Sequence, residues 1–156
     1  MMKILTLNKK DILDYQQNRD PYLMIDYATE VVPGLSSKGF KDFKKDEWFF
    51  KVHWKNDPNV PGMLQIESLV QMCALSILTL PGNKGKVVYL VSGNNLKFVK
   101  KILPGKRLNL DTKILSFKRG IAICEGSGKV DNELACKAEF KLILPEEIKK
   151  YNLDNK

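Results

Sequence analysis

A histidine and a glutamate that could exchange protons with a substrate lie fourteen positions apart in the middle of the chain. His53 is the sole histidine among 156 residues, and Glu67 is a carboxylate inside a strongly apolar stretch. Burying an ionised carboxylate is costly, so a buried glutamate is usually paired, protonated with a raised pKa, or part of a reactive site. From residue type alone, a structural role for His53 and a lysine partner for Glu67 both remain open.

The residues just before Glu67 supply a third chemical group. Pro61-Gly62 is a typical helix start, where the backbone N–H groups of Gly62 and Met63 would lack intrahelical acceptors. Such groups can stabilise an anion or polarise a carbonyl, although an ordinary helix start explains the same residues. Gln71 would share the helical face of Glu67. A base, an acid and an oxyanion donor together could remove a proton next to a carbonyl.

One long helix must position most of these groups. Residues 61–80 lack strand-type alternation, begin at Pro-Gly and are followed by Pro81-Gly82, which predicts a single helix. Its apolar residues fall on nearly all sides, as is typical of a buried helix. We therefore expect a sheet to wrap it, and we assign the chain to the α+β class, with antiparallel strands around one central helix.

The strands of that sheet are predicted from alternation and turn dipeptides. Before the helix we expect a hairpin of residues 22–32 and 35–45, and then a strand at residues 47–54. After the helix we expect strands at residues 86–91, 94–99, 107–117, 121–130 and 133–144. A short helix at residues 9–17 should be capped by Asn8, and the charged tail at residues 145–156 is expected to fray.

Composition limits the class of protein and its partners. With 44% hydrophobic and 28% charged residues, the chain predicts one globular domain over residues 1–156. The formal charge of +8 favours an anionic partner, which could be nucleic acid, anionic lipid or an acidic protein. The first residues do not resemble a signal peptide, and no stretch is long enough to span a membrane. A cytoplasmic protein is therefore expected.

The cysteines indicate neither a disulfide framework nor a zinc site. Cys73, Cys124 and Cys136 are odd in number, widely spaced in sequence and form no CxxC motif. We expect all three to be small buried apolar side chains.

The segment from His53 to Gln71 (HWKNDPNVPGMLQIESLVQ) resembles the signature of the (3R)-hydroxyacyl-[acyl carrier protein] dehydratases of fatty-acid synthesis, the FabZ type. In that family a histidine precedes a Pro-Gly helix start, and a glutamate follows the histidine by fourteen positions, as Glu67 follows His53. Residues 19–26 (RDPYLMID) resemble the family's first strand. The turns at Pro104-Gly105, Lys118-Arg119-Gly120 and Asp131-Asn132 also follow its pattern, so the resemblance spans residues 18–144.

The resemblance implies the hot-dog fold, in which a sheet wraps a long helix, and a homodimer with two active sites at the interface, commonly assembled as three dimers in a hexamer. His53 would remove the C2 proton of a 3-hydroxyacyl thioester, and Glu67 of the partner subunit would protonate the departing C3 hydroxyl. The product would be a trans-2-enoyl thioester. The N–H of Gly62 or Met63 would polarise the thioester carbonyl, and Gln71 would support Glu67 or an active-site water.

The resemblance also implies the partner and the absence of a cofactor. No metal or redox cofactor is needed for this elimination. Acyl carrier protein is acidic and would carry the thioester, which gives the positive charge of the chain a candidate partner in place of nucleic acid. We expect docking at Lys97, Lys100 and Lys101, beside the Pro104-Gly105 turn.

The chain departs from the family pattern around the histidine. Val52 replaces a glycine, Trp54-Lys55-Asn56 replaces Phe-Pro-Gly, and Asp57 stands where the family has a basic residue. Asn18 replaces a histidine of the N-terminal motif. These changes touch the loop that should border the substrate pocket, so we expect them to bear on acyl specificity or on activity.

Two other functions fit the same residues. The altered loop would also suit a hot-dog thioesterase, or a specialised dehydratase of a lipid- or glycan-modification pathway. A non-catalytic domain that binds carrier protein or nucleic acid would explain why residues 38–55 interleave lysines with aromatic residues. Aromatic rings that fill the sheet interior explain that pattern better.

Overall fold

The structure is a computed structural model and describes residues 2–153. Within this range seven strands form one antiparallel sheet: β1 (Leu5–Leu7), β2 (Tyr27–Val32), β3 (Ser36–Asp42), β4 (Tyr89–Phe98), β5 (Arg107–Lys118), β6 (Ile121–Val130) and β7 (Glu133–Ile143). Their order across the sheet is β1-β2-β3-β5-β6-β7-β4, so β1 and β4 are the edges. The helices are α1 (Lys9–Tyr15), α2 (Gly62–Leu78) and α3 (Pro145–Leu153), and a short 3-10 helix covers Trp48–Lys51.

Helix α2 lies at the centre of the fold because its side chains are apolar on nearly all sides. It packs against β2, β3, β5, β6 and β7, and its buried residues include the polar side chains Ser68 and Ser76. Pro61 immediately precedes its first turn, and Pro81-Gly82 follows its end. The predicted buried helix wrapped by an antiparallel sheet is confirmed. The chain has the hot-dog fold.

Several other elements follow the predictions closely. Helix α1 begins at the predicted capping box, in which Asn8 Oδ1 accepts the Asp11 N–H and Asp11 Oδ2 accepts the Asn8 N–H, both at 3.0 Å. Strands β2 and β3 form the predicted hairpin around Pro33-Gly34, although β2 begins only at Tyr27. Strands β5, β6 and β7 match their predicted ranges to within one residue.

The predicted strand at residues 47–54 is wrong, because Trp48–Lys51 forms a 3-10 helix and a turn follows it. Phe49 and Phe50 are adjacent yet both buried, with their ring centroids 4.7 Å apart. Successive side chains of a strand point to opposite faces. The 3-10 helix lets two adjacent rings enter the same core, which a regular strand does not. Phe43 and these two rings are buried, as predicted for aromatic residues that fill the interior, whereas Trp48 and Trp54 are 45% and 59% exposed and depart from that prediction.

Two later predictions also differ from the structure. Residues 86–91 and 94–99 were expected to form separate strands, whereas one strand, β4, runs through Ser92-Gly93. Its register against β7 shifts near Ser92 and again after Asn94, so the polar segment forms bulges rather than a turn.

The charged tail, expected to fray, is helical up to Leu153. Pro145 starts α3, and Glu146 and Glu147 complement the helix dipole in its first turn. Ile148 lies against Gly120, where an added Cβ would meet it at 2.9 Å. Residues 154–156 of the predicted tail lie outside the described part of the chain.

All three cysteines are free thiols and fully buried, as predicted. Cys73 and Cys124, distant in sequence, lie close enough to hydrogen-bond. In the described range 2–153, no helix is long and apolar enough to cross a membrane. The same residues contain no group of three or more His, Cys, Asp or Glu side chains arranged to hold a metal ion.

Candidate active site

Glu67 lies in the second turn of α2 and is held by Gln71, one turn later. Gln71 Nε2 donates to Glu67 Oε1 at 2.8 Å and to the Tyr22 carbonyl at 2.9 Å. Gln71 Oε1 accepts the N–H of Met24 at 2.8 Å. The segment before β2 therefore fixes the amide of Gln71, and that amide orients the carboxyl group of Glu67. The structure brings Glu67 and Gln71 together, as their spacing predicted.

Burial raises the pKa of Glu67 above its ordinary value, and the hydrogen bond from Gln71 partly offsets that effect by favouring the ionised form. Burial, with a smaller contribution from the Glu67 charge, also raises the pKa of Tyr22. Within residues 2–153 no ion pair links Glu67 to a basic side chain, so the structural lysine partner is absent there. A carboxyl group that keeps its proton to higher pH is suited to donate that proton.

A cavity of about 330 Å³ lies beside Glu67. Its apolar wall is one face of α2 together with the chain leading into β4, and consists of Val70, Ala74, Leu78, Val87, Val88 and Leu90. Its polar lining groups are Glu67, Gln71, Gln16, Gln17, Asn18, Lys86 and the phenol of Tyr89. A cavity with an acidic group beside an apolar wall can hold the tail of a substrate whose reacting atoms lie at that group.

His53 lies in the loop between the 3-10 helix and α2 and is partly exposed. Its Nδ1 is 3.1 Å from the carbonyl oxygen of Asn59. If Nδ1 carries the proton and donates it to this carbonyl, Nε2 has a free lone pair and can act as a base. The backbone supports the loop, since His53 N–H donates to Phe49 O at 2.8 Å.

At the start of α2, two backbone N–H groups precede the first hydrogen bonds of the helix. The first hydrogen bonds are made by Leu64 and Gln65, whose N–H groups donate to Pro61 O at 3.0 and 3.1 Å. The N–H groups of Gly62 and Met63 precede them, as predicted. A Cβ on residue 62 would meet the ring of Phe98 at 2.9 Å, so Gly62 lets the end of β4 approach the helix start closely.

The structure does not gather all the predicted groups into one place within a single chain. His53 is not among the residues that line the cavity beside Glu67. Around the histidine loop, Val52, Trp54 and Met63 are 72%, 59% and 62% exposed. These are large apolar side chains, and so many together are typical of a surface that another protein covers.

The three lysines predicted to dock a partner differ in their surroundings. Lys100 Nζ pairs with Glu133 at 2.7 Å, and Lys101 Nζ pairs with Asp57 at 2.6 Å. Lys97 lies at the outer face of the sheet, in a broad cleft that also contains acidic side chains. Asp57, which departs from the family pattern, thus lies beside Lys101 and ties the histidine loop to the chain after β4.

Sequence reasoning missed the contacts that hold the site together. The carbonyl of Asn59, the carbonyl of Tyr22 and the N–H of Met24 are backbone groups, and no residue type indicates them. Phe98 was assigned only to a strand, and its position over Gly62 depends on the register of β4. Gln16 also lines the cavity, although nothing in the short helix before it indicates that.

The chain is also similar in sequence to proteins of known family. A family model described as a FabA-like domain matches residues 17–139. A 3-hydroxyacyl-[acyl-carrier-protein] dehydratase FabZ from Clostridium novyi is 35% identical over 136 residues, which is 87% of this chain and 96% of that relative. The protein of the same name from Bacillus subtilis is 32% identical over 140 residues, which is 90% of this chain and 99% of that relative.

Solved structures of lower identity share the fold. A chain of the ApeI:P dehydratase heterocomplex from Xenorhabdus doucetiae matches with a TM-score of 0.72 at 14% identity, covering 93% of this chain and 97% of that one. An uncharacterized protein from Pyrococcus horikoshii matches with a TM-score of 0.65, also at 14% identity, covering 90% of this chain and 94% of that one. These two matches support the fold alone.

Proposed function

Because the chain belongs to the FabZ family of 3-hydroxyacyl-[acyl-carrier-protein] dehydratases, we propose that it removes water from (3R)-3-hydroxyacyl thioesters of acyl carrier protein. The product is the trans-2-enoyl thioester, and the pathway is fatty-acid biosynthesis. The observation that carries the proposal is that Gln71 orients the carboxyl group of Glu67, whose pKa is raised by burial, beside a cavity with an apolar wall.

Each group has one task in this reaction. His53 Nε2 takes the proton from C2 of the substrate while the Asn59 carbonyl holds the Nδ1–H. Negative charge develops on the thioester oxygen, and the N–H groups of Gly62 and Met63 stabilise it. The C3–O bond then breaks, and the proton of Glu67 joins the departing hydroxide to form water. Before the next turnover His53 releases the proton that it took from C2, and the carboxylate left on Glu67 takes up a proton, so both groups return to their starting state without a cofactor.

We infer that the active site is shared by two copies of the chain. His53 and Glu67 do not line one cavity in a single chain, and exposed apolar side chains surround the histidine loop. The edge strand β4 is ten residues long and exposed, and it presents Leu90, Val91 and Leu96 to solvent. A long apolar edge strand favours pairing with another strand. A homodimer that pairs two β4 strands would place His53 near Glu67 of the partner subunit, and three such dimers could form a hexamer.

The direct test is an assay with defined substrates. Purified protein is mixed with crotonyl and longer trans-2-enoyl carrier-protein thioesters, and hydration is followed by loss of enoyl-thioester absorbance. We expect turnover with at least one chain length and its loss in His53→Ala. Release of free thiol without hydration would instead identify a thioesterase, and full activity of His53→Ala would contradict the assignment of the base.

We propose that acyl carrier protein docks near Lys97, Lys100 and Lys101. An acidic partner complements the net charge of +8. Since Lys100 and Lys101 already pair with Glu133 and Asp57, Lys97→Glu should have the largest effect. It should raise KM for carrier-protein thioesters and leave KM for pantetheine thioesters unchanged. An equal rise with both substrates would place docking elsewhere.

We also propose a cytoplasmic location. Cys73 and Cys124 lie within hydrogen-bonding reach of each other and remain thiols in the fold. This suits a reducing compartment. Labelling of total thiols in denatured protein prepared anaerobically from cells should recover three free thiols per chain.

A further inference from the structure

Lys41 is the most buried charged residue within residues 2–153. It lies on β3, and only 6% of the residue is exposed. Moving an ammonium group out of water costs several kcal/mol unless carboxylates pair with it. Lys41 Nζ lies 3.3 Å from Glu47 Oε1 and 3.6 Å from Asp26 Oδ1, and these two side chains are themselves only 16% and 24% exposed. The three residues therefore form one largely buried set of ion pairs, which we call the Lys41 network.

Glu47 connects the Lys41 network to the loop that carries His53. Glu47 immediately precedes the 3-10 helix, and its carbonyl accepts the N–H of Phe50 at 3.2 Å. Inside that helix the carbonyl of Phe49 accepts the N–H of His53 at 2.8 Å. A carboxylate held in the network thus fixes the start of the 3-10 helix, and the hydrogen bonds of this helix lead to His53.

The aromatic rings below the loop form a second connection. Lys41 Nζ lies 5.9 Å from the centroid of the Phe43 ring, within the range in which a cation is attracted to an aromatic face. Phe43 in turn contacts Phe49 edge-on, with their centroids 5.9 Å apart, and both rings are buried. The ammonium group therefore contacts the base of the loop as well as its first residue.

Asp26 connects the Lys41 network to the chain that supports the acid. Asp26 Oδ2 accepts the N–H of Asp42 at 2.7 Å, which fixes this residue to the end of β3. Residues 22–24, just before it, supply the carbonyl and the N–H that hold the amide of Gln71. The position of Asp26 therefore bears on the orientation of Gln71 and, through that amide, on Glu67.

We propose that Lys41 is a positioning residue for both halves of the site. Through Glu47 it sets the orientation of His53, and through Asp26 it holds the chain that orients Glu67. None of the three residues of the Lys41 network lines the cavity beside Glu67, so each acts through another group. The proposal rests on the proposed function, which assigns the base and the acid, and it adds the residue that holds both.

The first measurement reads the orientation of His53, the sole histidine of the chain, by NMR of its imidazole nitrogens in untagged protein. Its Nδ1 faces the carbonyl oxygen of Asn59, which can only accept, so the Nδ1–H tautomer should predominate in the wild-type protein. Glu47→Gln keeps the shape of the side chain and removes its charge. We expect the Nδ1–H fraction to fall and kcat to drop roughly tenfold with KM little changed, because the base is displaced.

Asp26→Asn is the reciprocal variant, and its readout is the pKa of Glu67, followed by the carboxyl carbon signal in an NMR titration. We expect this pKa to rise, because the hydrogen bond from Gln71, which favours the ionised carboxylate, is loosened. The Nδ1–H fraction of His53 should not change in this variant. Conversely, Glu47→Gln should leave the pKa of Glu67 unchanged.

Lys41→Met removes the ammonium group and should produce both changes at once. Lys38→Met is its matched control, because Lys38 lies on the same strand and its pair with Asp111, at 4.0 Å, joins two exposed side chains. This control should leave both NMR readouts and kcat at their wild-type values. If Lys41→Met does not fold, the two variants that neutralise a single carboxylate still carry the test.

Two results would each overturn the proposal. One is an unchanged Nδ1–H fraction in Glu47→Gln, and the other is an unchanged pKa of Glu67 in Asp26→Asn. A loss of stability in urea with neither change would assign the Lys41 network a purely structural role. Both NMR readouts are made without turnover, so a wild-type protein that dehydrates none of the thioesters would refute the proposed function and leave this test of positioning intact.

Discussion

The loop that carries His53 and the helix that carries Glu67 are built in opposite ways. Glu67 lies on a buried helix and receives a hydrogen bond from Gln71, which is itself held by two backbone groups. His53 is partly exposed, and its ring makes one hydrogen bond, to the Asn59 carbonyl. The apolar neighbours Val52 and Trp54 are exposed. One chain therefore completes the proposed acid half of the site, at Glu67, but leaves the proposed base half, at His53, open on one side.

The two halves of the site are held rigid by different contacts. The acid half is fixed by the core, because the side chains around α2 pack on every side. The base half is anchored by Phe49 and Phe50, which are buried below it, and by short-range backbone hydrogen bonds. A second copy of the chain would cover the exposed apolar residues and hold the loop in place. Substitutions in each half should therefore have different effects.

The largest effect is expected from removing the acid. Glu67→Gln keeps the shape of the side chain and the hydrogen bond to Gln71 but cannot donate a carboxyl proton. We expect kcat for dehydration to fall by roughly 10²–10⁴-fold with little change in folding stability. Glu67→Asp, as a control, should retain part of the activity. Activity near the wild-type value in Glu67→Gln would mean that another group protonates the leaving hydroxyl.

The effect of Gln71 on the pKa of Glu67 should be visible in the pH dependence of dehydration. The hydrogen bond from Gln71 lowers the pKa of Glu67, whereas burial raises it. Dehydration needs the protonated acid, so activity falls as pH rises through the pKa of Glu67. Gln71→Leu removes the lowering contribution and should shift this alkaline limb to higher pH. A limb that stays fixed or moves to lower pH would show that Gln71 does not act through Glu67.

The same substitution should also destabilise the fold. It leaves the buried N–H of Met24 without its acceptor, which costs about 1–3 kcal/mol in the free energy of unfolding. Urea denaturation measures this loss. Thr79→Ala is a suitable control, because it removes a hydrogen bond to Leu75 O at 2.7 Å on the same helix but does not touch the site.

A smaller effect is expected at the helix start, where the two halves meet. Gly62→Ala places a Cβ 2.9 Å from the ring of Phe98, and that ring is 48% exposed and can move aside. We expect kcat/KM to drop several-fold, since the ring or the helix start must shift, with a loss of about 1 kcal/mol in stability. Phe98→Ala combined with Gly62→Ala should recover part of the loss. An additive loss would mean that contact with Phe98 is not the cause.

The smallest effect should come from the ion pair between Lys101 and Asp57. Both side chains are more than half exposed, and exposed pairs contribute at most about 1 kcal/mol. Asp57→Lys should lower kcat/KM about twofold through added mobility of the histidine loop. The double variant with Lys101→Asp should restore it by forming the reversed pair. Equal activity of all three proteins would show that this ion pair does not help to position His53.

Much of the fold could be predicted because the signals were local. The apolar stretch between Pro61 and Pro81-Gly82 indicated α2, and the turn at Asp131-Asn132 fixed the hairpin of β6 and β7. The segment around Phe49 and Phe50 could not be predicted in this way. Its residue types alternate as they do in a strand. It forms a 3-10 helix because both rings are buried in the core, a tertiary contact that the local sequence does not indicate.

The contacts of the candidate site also include some that the sequence predicts and some that it does not. The contact between Glu67 and Gln71 follows from helical spacing, which the sequence contains. The position of Phe98 over Gly62 depends on bulges in β4, and the contact between Asp57 and Lys101 joins residues 44 positions apart. Such contacts arise from tertiary packing, for which neither residue type nor spacing gives a signal.

The central claim, that one active site takes His53 from one chain and Glu67 from another, has a direct test. The inactive variants His53→Ala and Glu67→Gln are co-expressed with different affinity tags, and dehydration is measured on the mixed population. Random pairing gives heterodimers with one intact site, so activity should recover to about a quarter of the wild-type value. Activity no higher than that of the separate variants would contradict the account, because sites contained in single chains cannot be repaired by mixing.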